Sequence, residues 1–212
     1  LKYSQSENEK ITLKDTIKKF LSSKKTWCAS STHSSEEEFC GLVHKELKRK
    51  YKNLLTIIIP RHIDRVESIV NQLNELDLKV HLHGSKNKIK RDIDIYIVDA
   101  YGKTKSFYNF CKNVFLGGSL IKHGGQNPLE AIRYGCNVIH GPYISNFAEI
   151  YKFLKINKVS TKILSEKTMA NALNTLFKKK TNSKTLHKKI KSKGQKILND
   201  TYKEINLKLN DF

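Results

Sequence analysis

Short β-branched runs alternate with amphipathic stretches of helical length from residue 26 to residue 177. No other feature of the chain narrows its possible folds so far. The run Leu54-Leu55-Thr56-Ile57-Ile58-Ile59 is almost wholly apolar, as a strand is when both faces of its sheet are covered. Pro60 stops it. Further strands are predicted over residues 26–31, 79–83, 93–98, 114–116, 137–140 and 158–163. Between them the periodicity predicts helices over 12–24, 63–76, 106–112, 128–134, 146–154 and 168–177. The helix after the first strand opens on Ser34-Ser35 as hydroxyl caps, followed by Glu36-Glu37-Glu38 in the first turn, where the dipole favours acids. Phe39, Leu42, Val43 and Leu47 form its apolar face. A last helix is predicted over about 185–209, with a stripe of Leu186, Ile190, Ile197, Tyr202, Ile205 and Leu209 that Gly194 weakens. Such alternation means an α/β fold, a doubly wound parallel sheet, here with a C-terminal helical extension. No internal repeat and no Gly/Ser linker interrupts it.

The chain has 212 residues, enough for one sizeable core. Its 40 Lys+Arg against 20 Asp+Glu give a formal charge of +20, which excludes a neutral, partner-blind surface. The charge is uneven. Residues 1–150 hold 24 bases and 16 acids, whereas residues 151–212 hold 16 lysines and 4 acids. The densest stretch, residues 178–196, has nine lysines and no acid. It reads either as a solvated helical face or as a surface held against anionic lipid, each Lys there contributing roughly 1 kcal/mol. Nucleic acid comes third, because no aromatic side chains interleave the run and no DNA- or RNA-binding motif appears. Cys28, Cys40, Cys111 and Cys136 lack CxxC spacing, which argues against a disulfide framework and a zinc site and fits a reducing cytosol. The longest apolar runs are too short to span a bilayer, and the N-terminus lacks a signal architecture. The chain opens on Leu1 rather than Met, which leads us to expect more chain upstream.

In open α/β sheets, ligands bind beyond the carboxyl ends of the strands. Five loops with unusual residues fall there: Ser30-Ser31-Thr32-His33, Pro60-Arg61-His62, Asp99-Ala100-Tyr101-Gly102-Lys103, Gly117-Gly118-Ser119 with Gly124-Gly125-Gln126-Asn127-Pro128-Leu129-Glu130, and Gly141-Pro142-Tyr143 with Asn146-Phe147. Two readings of Asn127-Pro128-Leu129-Glu130 stand side by side. One is a helix start with an Asn cap, Pro in the first turn and a Glu closing a capping box. The other is a ligand site, with free N–H groups for a phosphate and a carboxylate for vicinal ribose hydroxyls. Arg61, at the mouth of the sheet, suits an anion through its guanidinium fork. His33 and His62 serve equally well as ligand contacts or as loop caps. His81 and His83 have no third ligand in sequence, so no metal site is expected there. No Ser/His/Asp order and no carboxylate pair stands out, and nothing identifies a general base.

These motifs resemble one family. Ala29-Ser30-Ser31-Thr32-His33 with Glu36-Glu37, Pro60-Arg61-His62, Gly117-Gly118-Ser119-Leu120, Gly124 to Glu130, and Gly141-Pro142 through Asn146-Phe147 look like 3-deoxy-D-manno-octulosonic acid (Kdo) transferase, in order and spacing over residues 27–150. The resemblance implies an inverting GT-B glycosyltransferase built of two Rossmann-like halves. It also implies transfer of Kdo from CMP-Kdo to lipid A precursor (lipid IVA) in lipopolysaccharide core biosynthesis, at the cytoplasmic face of the bacterial inner membrane, with no cofactor and no metal. It divides the chain into a hinge and first helix (1–25), a Rossmann-like CMP-sugar donor-binding domain of GT-B C-terminal type (26–165) and a Lys-rich helical C-terminal extension (166–212). The CMP-contacting positions it implies are Pro60, Arg61, Tyr101, Gly102, Lys103, Asn127, Pro128, Leu129 and Glu130, and more weakly Ser31, Thr32, His33, Gly118, Ser119, Gln126 and Asn146. Two positions depart from the family pattern: Lys103 stands where Glu is usual, and Gln126 where many members have His. The half that carries the membrane anchor, acceptor site and catalytic Glu is absent from this sequence, so this chain is expected to bind donor without catalysing. The anionic membrane is then a partner of the Lys-rich tail, and nucleic acid is not expected. Two alternatives stand beside this reading: a non-enzymatic basic module for membrane or nucleic acid on the same fold, and a GT-B enzyme using a UDP-sugar.

Overall fold

The structure is a computed structural model that describes residues 13–178. Residues 1–12 of the hinge and first helix expected over 1–25, the helix expected over 185–209 and nearly all of the lysine run lie outside the described residues. Within them, seven strands form one parallel sheet in the order β3-β4-β2-β1-β5-β6-β7. They are β1 (Lys25–Thr32), β2 (Leu54–Pro60), β3 (Val80–Leu82), β4 (Ile95–Ile97), β5 (Asn113–Leu116), β6 (Asn137–His140) and β7 (Ser160–Lys162). The helices are α1 (Asp15–Ser22), α2 (Glu36–Lys48), α3 (Val66–Glu75), α4 (Thr104–Tyr108), α5 (Leu129–Arg133), α6 (Ala148–Ile156) and α7 (Glu166–Lys178). The α/β sheet expected from the sequence is therefore present, strand for strand.

Alternation along β2 makes the two faces. Leu55, Ile57 and Ile59 pack with Ile17, Leu21, Phe107 and Tyr151 on one side; Leu54 and Ile58 pack with Trp27, Val43, Ile69 and Met169 on the other. Every residue of β2 is buried, which is why its sequence shows no polar period. Helix α7 closes the second face against α2, burying Met169, Ala170, Leu173 and Leu176.

Three local expectations are corrected. Leu42 is 38% exposed, because the buried stripe of α2 runs through Glu36, Glu37, Cys40, Val43, His44 and Leu47 and residue 42 lies off it. The Ser34-Ser35 hydroxyls do not cap α2: Ser35 has φ 70° and makes no side-chain cap bond. The helix expected over 106–112 is α4, which begins at Thr104 and ends at Tyr108.

Thr56, the polar interruption of β2, has a partner. Its Oγ1 lies 2.8 Å from Nδ1 of the buried His44, whose Nε2 is 3.3 Å from Asp94 Oδ1. Lys48 Nζ reaches the same carboxylate at 3.0 Å, and Lys79 N–H donates to Oδ2 at 3.1 Å. Burial lowers the His44 pKa, against the pull of Asp94. Burial pushes Asp94 up, but the His44 ring, the Lys79 N–H and Lys48 outweigh it and hold the carboxyl below the usual range. The two signs agree. Unfolded His binds a proton near pH 6.5 while buried His44 resists, and unfolded Asp binds one near 3.9 while folded Asp94 resists. Stability is thus expected to fall as pH drops below about 6.5, and again below about 4. Urea midpoints should be lower at pH 5 than at pH 7.5, with a smaller drop in His44→Gln. Equal midpoints at the two pH values would contradict the assignment.

Candidate functional site

All seven strands point the same way, so the five loops singled out in the sequence emerge along one edge. A buried carboxylate organises them. Glu36, fully inaccessible at the start of α2, accepts four backbone N–H groups: His33 (3.0 Å) and Gly118 (2.7 Å) on Oε2, Ser119 (3.1 Å) and Leu120 (3.0 Å) on Oε1. Burial raises its pKa and the four donors pull it back. The carboxylate thus ties the loop after β1 to the loop after β5. Gly117 is required at this crossing, since a Cβ there would lie 2.3 Å from the Ser31 carbonyl oxygen and 2.6 Å from Thr32 Cα. Beside Glu36, the equally buried Glu37 holds Arg65 in a two-pronged pair at 3.1 and 3.2 Å.

The register of β1 against β2 shifts between Ser30 and Thr32. Ser31 adopts φ 55° there, a bulge that re-aims the strand end. Thr32 carbonyl then accepts Arg61 N–H at 3.0 Å, so Thr32 and Pro60-Arg61 are neighbours. Pro60 is buried and Arg61 exposed. The Thr32 hydroxyl is buried without a hydrogen-bond partner among the described residues.

The long loop after β5 is fastened at several points. Gly125 N–H donates to Gly118 O at 2.8 Å, Tyr143 N–H to Ser119 O at 2.9 Å and Asn146 N–H to Gly124 O at 3.1 Å. The Asn146 side-chain amide donates to His123 O at 3.2 Å, and Tyr151 OH to Gln126 O at 3.0 Å. Asn127 Oδ1 accepts Leu129 N–H at 3.0 Å, so the Asn part of the expected helix start is realised. The Glu part is not: Glu130 is turned toward Lys105, 4.0 Å away, instead of closing a capping box.

Near the loop after β4, Asp99 accepts Gly84 N–H at 2.7 Å. Tyr101 is 67% exposed and Gly102 takes φ 73°. Lys103 stands immediately before α4. Its charge helps lower the pKa of His83, whose main perturbation is burial. It is Lys105, not Lys103, that meets Glu130.

The structure therefore brings Thr32 to Arg61, His33 to Gly118 and Gln126, and the start of α4 to the start of α5. It engages the Gly118 and Ser119 N–H groups internally on Glu36, which makes that glycine and that serine scaffolding for the edge. Sequence reasoning missed His123, Arg65 and the roles of Glu36 and Glu37. His123 could have been suspected from its place directly before Gly124-Gly125. The acids looked like dipole partners at an exposed helix start, and only the tertiary crossing reveals them as buried. Among the described residues no group of three or more His, Cys, Asp or Glu side chains is placed to hold a metal ion.

A seven-stranded parallel sheet with helices on both faces and a Gly-rich strand-end edge is a Rossmann-like fold. Its likeness in fold is to the C-terminal CMP-Kdo binding domain of WaaA from Acinetobacter baumannii, with TM-score 0.73 and 21% identity over 84% of this chain and 96% of that one. In sequence the chain is similar to curated Kdo transferases. The 3-deoxy-D-manno-octulosonic acid transferase of Haemophilus influenzae is 29% identical over 201 residues, 93% of this chain and 46% of that protein. That of Rickettsia prowazekii is 31% identical over 196 residues, 87% and 41% respectively. The chain thus spans less than half the length of the curated relatives it matches. No protein-family model matches it.

Proposed function

We propose that this chain is the donor-binding half of a Kdo transferase and holds CMP-Kdo along the strand-end edge. The observation that carries the reading is the convergence of Pro60-Arg61, Tyr101-Gly102-Lys103 and Asn127 to Glu130 on one edge of a domain homologous to Kdo transferases. Arg61 is the cation for the phosphodiester. Glu130, half-exposed with Lys105 Nζ 4.0 Å away, accepts the ribose hydroxyls. In the reaction proposed for the whole enzyme, a hydroxyl of lipid IVA attacks the anomeric carbon of Kdo from the side opposite CMP. The bond from the anomeric carbon to the phosphate oxygen breaks, CMP leaves with the bonding electron pair, the hydroxyl proton passes to a general base, and configuration inverts. The acceptor site and general base belong to the part of the relatives that this chain does not span. Donor binding here calls for no metal, since Arg61 supplies positive charge.

We place the reaction at the cytoplasmic face of the bacterial inner membrane. The lysine-rich stretch 178–196 supports that placement by its charge. Among the described residues no helix is long and apolar enough to cross a membrane. Sedimentation with anionic vesicles should exceed that with neutral ones and fade as salt rises. Equal sedimentation with both would remove the tail from the proposal.

The donor assignment is tested by Glu130→Ala. Loss of one charged hydrogen-bond partner is expected to weaken CMP binding by about 1–3 kcal/mol, read by calorimetry on a variant whose melting curve is unchanged. Unaltered CMP affinity would sink the assignment.

A further inference from the structure

Three imidazoles from three different loops meet on the donor edge. The His33 ring, after β1, lies 4.3 Å from that of His123, after β5, and 6.0 Å from that of His62, after β2. Gln126 Nε2 is 3.4 Å from His33 Nε2. The rings fit because residue 118 has no side chain: a Cβ there would be 2.9 Å from His123 Cδ2 and 3.3 Å from His33 Nε2.

The charges around the cluster are unbalanced. From the loop after β2 come Arg61 and, one turn on, Arg65. From α2 come Glu36 and Glu37, but Glu36 is occupied by four N–H groups, one of them that of His33 itself, and Glu37 by Arg65. From the β6–α6 connection comes the neutral Asn146, on the His123 carbonyl. Among the described residues no carboxylate therefore pairs with the imidazoles, and protonating one of them sets a cation among cations. Consistent with this, burial, then His123, His62, Arg61 and Arg65, lower the His33 pKa to about 4. An anion placed among these groups reverses that balance, because the charged imidazole then has a counter-ion and a hydrogen-bond acceptor.

We propose that the adjacent His33–His123 pair is an anion subsite that takes up a proton when a phosphodiester binds, so that the donor edge holds its ligand more tightly as pH falls. The inference rests on the donor-edge reading and adds proton linkage and a contact residue, His123, to it.

The test uses the 212-residue chain and the methyl ester of CMP, a phosphodiester whose own charge is constant between pH 6 and 8, with cytidine as the uncharged control. An opposite charge raises a neighbouring imidazole by roughly 1–3 pKa units. Starting from about 4, the upper part of that range makes the ester bind about three- to tenfold more tightly at pH 6 than at pH 8. Cytidine binding should not change. In His33→Gln/His123→Gln the ratio should fall below about twofold, whatever the absolute affinity. A ratio below twofold in the natural sequence, or an undiminished ratio in the double variant, would overturn the proposal. Absence of ester binding at both pH values by the folded chain would instead overturn the donor-edge reading beneath it. Should the double variant not fold, the imidazole NMR titrations of the natural sequence decide. Ligand must raise the pKa of His33 by at least about two units, and a smaller rise refutes the linkage.

Discussion

Glu36→Ala is expected to lower the free energy of unfolding by about 3–5 kcal/mol, the range seen when a buried charge network loses a member. The carboxylate accepts four N–H groups on two loops, and alanine leaves all four without a partner. A buried donor left unpaired costs about 1–3 kcal/mol, so full loss at four sites would exceed the stability of most domains. Water reaching the strand-end edge and relaxation of residues 117–120 bring the total down. Glu36→Gln should cost about 2–3 kcal/mol, because one side-chain oxygen still accepts but the amide NH₂ faces N–H groups that need an acceptor. Urea titration of both variants gives the numbers. A loss below about 1 kcal/mol for Glu36→Ala would show that the loop crossing holds without the carboxylate.

Arg65→Ala should destabilise by about 2–4 kcal/mol. Glu37 is wholly buried, and its pairing with Arg65 is two-pronged. Removing the guanidinium leaves a carboxylate in the interior with no counter-charge, which costs far more than the pair contributes as a pair. The Arg65 side chain keeps 24% of its surface accessible, so water can partly replace it, and the estimate sits below the full 3–5 kcal/mol of a sealed pair. The double variant Glu37→Gln/Arg65→Met should recover at least half of the loss, since neither charge is then stranded. A double variant less stable than Arg65→Ala would contradict this account.

The sequence made the sheet legible because burial on both faces leaves an unmistakable mark. Leu54–Pro60 and Asn137–His140 are strands where their composition puts them, and parallel topology then aligns the Gly-rich loops without further information. Polar residues inside the fold were harder to read. Glu36, Glu37 and His44 are hydrophilic by type, yet they lie on the buried stripe of α2, each with partners more than ten residues away. A 3.6-residue period drawn from hydrophobic residues alone assigns them to water and, in their place, puts Leu42 inside. The same limit explains His123. Its significance comes from the ring of His33 ninety residues earlier, brought there by the crossing that Glu36 holds together. Lys103 shows the converse: its departure from the family pattern drew attention in the sequence, whereas the base that meets Glu130 is Lys105, two residues on.

Nucleotide choice tests the central claim most directly. A donor half for CMP-Kdo must recognise cytosine as well as phosphate, whereas a basic module binds any anion in proportion to charge. Calorimetric titration of the 212-residue chain with CMP and with UMP, at physiological salt, is predicted to show CMP binding at least about tenfold more tightly, a difference of roughly 1.4 kcal/mol. Equal affinity for the two nucleotides, falling in parallel as salt rises, would contradict the account and leave a charged surface on a glycosyltransferase fold.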